Sequence, residues 1–330
     1  MQTLYVSEQN CYICLQKEIL VVKRGEVTQA QVQLPLLEQI LIFGSSQVTT
    51  QVVRACLLRD IPIAYLSRMG YCYGRILPIS RGYRQLSRYQ QQLSAMEKLV
   101  TAREIIKSKI KNSRVLLQRQ KKKIASANLE RVLESLNYLA EQTASADSCE
   151  RLMGIEGAGA AQYFSAFGEC LSNENFIFLG RSRRPPGNQV NAMLSFGYQV
   201  LWNHLLALIE IQGLDPYYGC LHQGHDGHPA LASDLIEEFR SPLIDSLVMW
   251  LINRNIFDVG ADFEFIKGGC YLNNSGRKKF LQAFLQRMTE EVQTEDGTKQ
   301  PKWDLLTQQV RAFKQFVYNP AHHYRPYRIH

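Results

Sequence analysis

The feature that most constrains this chain is a change of hydrophobic period near residue 80. Before it, apolar residues come in short runs bounded by charged or turn-forming residues: Leu4-Tyr5-Val6, Cys11–Leu15, Ile19–Val22, Val32–Leu34 and Ile40–Ile42. Runs this short predict strands. Thr49–Arg59, with Val52, Val53, Cys56 and Leu57 at helical spacing, predicts a single helix. Ile61–Leu66 then reads as a buried strand, Met69-Gly70 as a turn into Tyr71–Leu77, and Pro78 as the close of the unit. From Tyr83 onward the period is helical almost to the end. The expected fold class is α+β: a small N-terminal β-rich domain over 1–80, then a larger all-α domain over 81–330. A length of 330 residues suits two domains.

The first helical stretch, Tyr83 to Gln142, is strongly basic. Between Arg103 and Arg131 stand ten basic residues, Lys107, Lys109, Lys111, Arg114, Arg119, Lys121, Lys122 and Lys123 among them, against two acids, Glu104 and Glu130. The excess equals the net charge of the whole chain, +8. Phosphate binding exploits such concentration through charge neutralisation and counterion release. A solvated helical face is the competing reading; the scarcity of compensating acids favours a polyanion, nucleic acid first.

Further along, Glu156 is followed by five small residues, Gly157 to Ala161. Glycine inside a helix costs roughly 1 kcal/mol relative to alanine, which implies close approach by another backbone or a ligand. Glu156, Ala160 and Tyr163 share a helical face, so carboxylate and phenol could line one surface; plain tight packing is the alternative. Pro185 and Pro186 hold Gly180–Asn191 extended, so Arg181, Arg183 and Arg184 suit bidentate phosphate contacts, a solvated basic loop being the alternative. Asn188 is positioned to cap the core helix that runs to Ile211.

Gly213–Arg240 gathers the chemistry. Its loops carry His222, His225 and His228, and a helix opens near Pro229 with Asp234 and Glu237 three residues apart and Glu238 beside them. Like charges on one face repel, and a bound cation relieves that repulsion with nitrogen and oxygen ligands together. An exposed acidic stripe is the other reading. Helices are expected over Pro242–Asn255, Gly276–Val292 and Trp303–Phe316, with a short hairpin or a plain connection over Phe263–Leu272, a polar loop over Gln293–Pro301 and a flexible tail, Tyr318–His330.

The eight cysteines are scattered, and Cys11 and Cys14 lack a second pair at zinc spacing. The N-terminus has no secretory pattern and the core helix is interrupted by Gln199, Asn203 and His204, so a cytoplasmic location with reduced thiols and no membrane contact is expected.

Five pieces of the chain occur together in a set order. They are Asp60-Ile-Pro-Ile-Ala-Tyr-Leu66 with Gly70 and Gly74-Arg75; Gly154-Ile-Glu-Gly157 through Tyr163-Phe164; Arg183-Arg-Pro-Pro186 with Val190–Tyr198; Gly213-Leu-Asp-Pro216 with Gly219 and Leu221-His222; and Asp234-Leu-Ile-Glu-Glu-Phe-Arg240. In this order they resemble the CRISPR-associated protein one family, the metal-dependent DNA endonucleases and integrases of spacer acquisition.

The resemblance implies that Glu156, His222 and Glu237 are the metal ligands and catalytic centre, with Asp234 an accessory acid. It leaves His225 and His228 outside the ligand set as loop residues, and puts Asn188 where an acidic residue is common. It further implies a homodimer formed through the smaller domain, joined to the small CRISPR-associated protein two, and insertion of short foreign DNA into a CRISPR array by 3′-hydroxyl attack on a phosphodiester. A mixed imidazole–carboxylate set suits Mn²⁺ or Mg²⁺. The candidates for holding DNA are Arg183, Arg184, Lys107, Lys111, Arg114, Lys121, Lys122, Lys123 and Tyr163. Two rivals remain: a stand-alone nuclease acting on branched DNA, and a non-catalytic DNA-binding scaffold.

Overall fold

The structure, a computed structural model, describes residues 2–67, 72–78, 83–121, 124, 126–222, 227–293 and 297–329. Met69, Gly70, Lys122, Lys123 and His225 therefore lie outside the described residues. The chain divides into two compact units, Met1–Gln92 with Trp202–Pro216, and Leu93–Leu201 with Tyr217–His330.

The first unit holds two four-stranded sheets. Strands β1 (Gln2–Val6), β5 (Leu37–Phe43), β7 (Ile63–Leu66) and β8 (Cys72–Ile76) lie in that order, parallel except for β8. The second sheet runs β4 (Val27–Gln33), β3 (Ile19–Arg24), β2 (Tyr12–Gln16) and β6 (Gln47–Val48). The centre of the first sheet, β5, is nearly continuously buried, as a run of Leu, Ile and Phe flanked by parallel partners requires. In β4, buried positions are absent and alternation replaces them, which hid most of the strand from a hydrophobic pattern. Helix α1 (Thr50–Leu57) begins where Thr49 accepts a hydrogen bond from the Val52 amide, and it buries Val52, Ala55 and Cys56. Both sheets and α1 contribute to one core that includes Val6, Ile13, Leu20, Ile40, Ile42 and Ile63. Arg75 of the Gly74-Arg75 pair forms a salt bridge with Glu210.

The second unit is mostly helical. Its helices are α3 (Ala95–Lys121), α4 (Ala127–Gln142), α5 (Cys149–Phe167), α7 (Ala230–Leu235), α8 (Ser246–Asn253), α9 (Asn274–Thr289) and α10 (Lys302–Tyr318). The short helix α2 (Tyr83–Gln92) belongs to the first unit, and α6 (Gln189–Ile211) supplies residues to both. Local signals set the starts. Ser94 and Glu97 form a reciprocal capping box ahead of α3. Ser126, Ser148 and Asn273 accept from the amides three residues on. Asn188 does the same for Asn191 at the start of α6. By length and composition α6 is long and apolar enough to cross a bilayer, but 72% of that stretch is buried, and Asn203 and His204 are buried with it.

Two small hairpins interrupt the helices, so the C-terminal region is not all-α. Phe263–Ile266 (β9) pairs with Gly269–Leu272 (β10), as expected. The expected loop over Gln293–Pro301 instead includes a pairing of Glu291–Gln293 (β11) with Lys299–Pro301 (β12).

The tail also differs from expectation: it is pinned, not loose. Ser108 and Asn112 of α3 donate to the Tyr327 carbonyl, and the Ile329 amide donates to Asn112. Tyr324 and the Tyr327 amide both donate to the buried Glu238 carboxyl, and the Tyr327 ring stacks on Phe239.

Candidate metal and catalytic centre

Three segments of the second unit build the site. Helix α3 carries Lys109, α5 carries Glu156, and the stretch through α7 carries Asp234 and Glu237. Gly159 fixes the approach of α5 to α3, since a Cβ there would lie 3.3 Å from Ile110. By contrast, Gly154 and Gly157 have open space above them. Tight packing thus explains one of the three glycines around Glu156. After α7 the helix is interrupted, and Arg240–Asp245 forms one π-helical turn. Such turns frequently mark functional sites, because they re-aim side chains within a helix.

All three acids of this stretch are buried: Asp234 is 0% exposed, Glu237 4% and Glu238 0%. The solvated acidic stripe is thereby excluded, because a carboxylate in such surroundings needs partners. Each has its own. Asp234 turns back to the preceding loop and accepts from the amides of Cys220 (2.5 Å), Leu221 (3.0 Å) and His222 (2.9 Å). It also accepts from His222 Nδ1 at 2.7 Å. That bond fixes the tautomer and leaves Nε2 to face a ligand. Gly219 makes this wrapping possible, since a Cβ there would sit 2.6 Å from the Asp234 carboxylate.

Glu237 accepts from Arg240 Nε at 2.9 Å and lies 2.6 Å from the Lys109 ammonium. The same ammonium donates to Glu156. Lys109 therefore bridges the two carboxylates, and His222 is close enough to feel the charge of both. Burial would push the His222 imidazole down, but its hydrogen bond to Asp234 and the charges of Asp234, Glu237 and Glu156 raise it above its ordinary value. Burial likewise pushes the Glu237 carboxyl up, and Arg240 and Lys109 outweigh it, holding the group down at about 2.

Among the described residues no three acidic, histidine or cysteine side chains are already closed into a metal-ligand arrangement. A cation nevertheless stands between the carboxylates, in the form of the Lys109 ammonium. Two carboxylates already bridged by one positive charge, beside an imidazole whose Nδ1 is engaged, form a donor set that fits a divalent ion.

Beyond the centre lies a second buried group. Tyr163, expected to line the site and touch DNA, is 3% exposed, and its hydroxyl donates to Asp245 at 2.9 Å. Asp245 also accepts from Tyr198 at 2.5 Å, and burial raises its carboxyl. Arg240 lies 4.5 Å from the centre of the Tyr198 ring. Arg181 turns inward to Asn191 and Ser195 rather than outward as a loop arginine. Arg183 and Arg184 are exposed.

The basic helix is less free than a local tally suggests. Lys107 and Lys111 face Glu141, at 4.0 and 3.3 Å, and Lys121 pairs with Glu130 at 2.9 Å. Arg114 donates to the Leu133 carbonyl and to Gln118. His228 bonds Ser233 and is not part of the centre.

A family model described as CRISPR associated protein Cas1 matches residues 4–286. The chain is 33% identical over 331 residues to a CRISPR-associated endonuclease Cas1 of Thermus thermophilus, covering 99% of this chain and 97% of the relative. It is 37% identical over 303 residues to a Cas4 exonuclease/Cas1 endonuclease fusion of Geobacter sulfurreducens, covering 88% of this chain but only 53% of the fusion, so it spans about half of that protein. Among solved structures, a partial Cas6-RT-Cas1–Cas2 complex superposes with a TM-score of 0.84 at 24% identity, covering 99% of this chain and 98% of the other. A casposase bound to integration product gives 0.73 at 21% identity, with both chains fully covered. Both structures establish the fold. Ordered motifs, a centre built by α3, α5 and the α7 stretch, and matches along nearly the full length agree: the chain belongs to the CRISPR associated protein Cas1 family.

Proposed function

We propose that this chain is a metal-dependent DNA endonuclease and strand-transfer integrase that inserts short foreign DNA into a CRISPR array in prokaryotic antiviral defence. The observation that supports this most is that one ammonium, Lys109, joins the Glu156 and Glu237 carboxylates, and that His222, held by Asp234, feels the charge of both acids, in a chain of this family. Glu156, Glu237 and His222 Nε2 would hold Mn²⁺ or Mg²⁺. A divalent ion bound there supplies Lewis acidity toward a phosphodiester oxygen and lowers the pKa of an attacking hydroxyl or water.

The protein's own part is positioning. Asp234 aims the imidazole and Arg240 fixes the Glu237 carboxylate. Burial between α7 and the π-helical turn limits the rotamers that Glu237 can adopt. Exposed Arg183 and Arg184, with Lys107, Lys111, Arg114 and Lys121 of α3 and, in sequence, Lys122 and Lys123, are assigned to DNA phosphates. The strand-rich domain over 1–80 is assigned to homodimer formation and the region over 81–330 to catalysis and DNA binding. The partners are duplex, branched or repeat DNA and the small CRISPR-associated protein two, and the location is cytoplasmic.

The test is strand transfer with a labelled short duplex and a repeat-bearing target, with Mn²⁺ or Mg²⁺, with and without the partner protein. Joined product that disappears in Glu156→Ala while DNA affinity persists is the expected result. Metal-dependent cleavage without joining under any partner condition would instead identify a stand-alone nuclease on branched DNA. DNA binding with no phosphodiester chemistry would identify a scaffold.

A further inference from the structure

Lys109 is the residue that the proposed chemistry does not use. It sits mid-way along α3, and its neighbours hold the backbone still: Ile105, Ile106 and Ile110 are buried, and Ser108 and Asn112 are bonded to the tail. The side chain is 14% exposed, so its four-carbon stem has a way out to solvent. Its ammonium lies on Glu156 and on Glu237, 2.6 Å from the latter, in the position where a shared metal ion would have to be. A lysine ammonium and a divalent cation cannot share that space, and their mutual repulsion would be weakly screened there.

We propose that Lys109 is a built-in competitor for the metal: it holds the Glu156 and Glu237 carboxylates together before the ion arrives and must withdraw when it binds. Lys109 is thus a positioning residue, acting through the two carboxylates. This inference rests on the metal-site reading above. It makes a prediction that structural support alone does not. If the lysine only braced the fold, removing it would weaken metal binding; if it competes, removing it strengthens binding.

The experiment is Mn²⁺ titration of the full chain by calorimetry for wild type, Lys109→Met, Lys109→Arg, Glu156→Gln and His222→Ala, with circular dichroism as the folding check. Lys109→Met is expected to bind Mn²⁺ at least about tenfold more tightly, a change of about 1.4 kcal/mol. It should also melt lower without metal and gain more from Mn²⁺ than wild type. Lys109→Arg, which keeps the charge, should bind no more tightly than wild type. A folded Lys109→Met with unchanged or weaker Mn²⁺ affinity overturns the proposal. Should Glu156→Gln and His222→Ala bind Mn²⁺ as wild type does, the metal-site reading falls and this inference with it; if they lose the ion and Lys109→Met is unaltered, only this inference falls.

Should Lys109→Met not fold, acylation of lysines in the unaltered protein, mapped by mass spectrometry with Lys121 as reference, decides the matter. Mn²⁺ should raise modification of Lys109; unchanged or reduced modification overturns the proposal.

Discussion

Replacing Asp234 by asparagine tests the geometry most directly, because the consequences can be worked out atom by atom. The carboxylate takes four donors: Cys220 N at 2.5 Å and Leu221 N at 3.0 Å on one oxygen, His222 N at 2.9 Å and His222 Nδ1 at 2.7 Å on the other. Asparagine offers one oxygen and one NH₂, so two of the four donors would face another donor. The side chain is fully buried and water cannot take over. At about 1–3 kcal/mol for each buried donor left unpaired, the loss should be on the order of 3–5 kcal/mol. With about 2–4 °C per kcal/mol for a unit of this size, the melting midpoint should fall by on the order of 10 °C. A second effect is chemical. If the amide NH₂ turns toward Nδ1, the imidazole must carry its proton on Nε2, the atom proposed to hold the metal, and loss of such an orienting partner typically costs about 10–100-fold in metal affinity. The assays are thermal denaturation and Mn²⁺ calorimetry on the same preparation. An Asp234→Asn protein with wild-type midpoint and wild-type Mn²⁺ affinity would refute the view that this residue organises the His222 loop.

Other outcomes follow from the same contacts. Gly219→Ala puts a Cβ 2.6 Å from the Asp234 carboxylate and 3.1 Å from the Ala230 carbonyl carbon, so urea denaturation should show a loss of about 1–3 kcal/mol, and Mn²⁺ affinity should fall as His222 is displaced. Glu156→Ala should abolish cleavage and joining in a labelled-DNA assay while gel-shift affinity changes little, since the exposed basic residues are untouched. Ending the chain at Tyr318 removes both partners of the buried Glu238 and uncovers Phe239, so the truncated protein should lose several kcal/mol in urea, on the order of a lost buried network. Burial raises the Glu238 carboxyl from 4.5 to about 8, although its bonds to Tyr324 and Tyr327 act against the shift. Between those values the folded state holds a proton that the unfolded state has lost, so stability should decline as pH rises from about 4.5 through about 8. The slope of the urea midpoint from pH 6 to pH 9 should flatten in Glu238→Gln.

The sequence exposes features that repeat or crowd. Its period change separates the strand-rich part from the helical part, and its cap at Asn188 lies next to the helix it starts. The acids at 234, 237 and 238 are visible because like charges so close together need an explanation. Their division of labour is not visible: Asp234 faces a loop, Glu237 faces Lys109 of α3, and Glu238 faces the tail, and only the interrupted helix produces three directions from one short run. Lys109 is hidden among ten basic residues, because nothing local distinguishes the one that reaches Glu156, 47 positions away. The excess of charge on α3 also misleads locally. Glu141 lies outside the counted window yet faces Lys107 and Lys111 across the α3–α4 packing. The tail, rich in arginine, proline and histidine, reads as loose polar chain, and its order comes from Tyr324 and Tyr327, whose acceptor, Glu238, lies more than 80 positions away.

The two cations on Glu237 invite the thought that either could serve for the other, and their surroundings argue against it. Arg240 is three residues from Glu237 on the same turn, bonded through Nε and set against the Tyr198 ring at 4.5 Å. Its planar group is held on two sides, so it stays with Glu237 whatever else occupies the site. Lys109 reaches in from another helix on a flexible stem and touches only carboxylate oxygens there. On the proposed metal-site reading, the two carboxylates are held close before an ion arrives and released to it, which needs one partner that remains and one that can leave. Exchanging the two, with arginine at 109 and lysine at 240, should therefore not conserve function although it conserves charge: the forked guanidinium would grip both acids, and Glu237 would lose its fixed orientation.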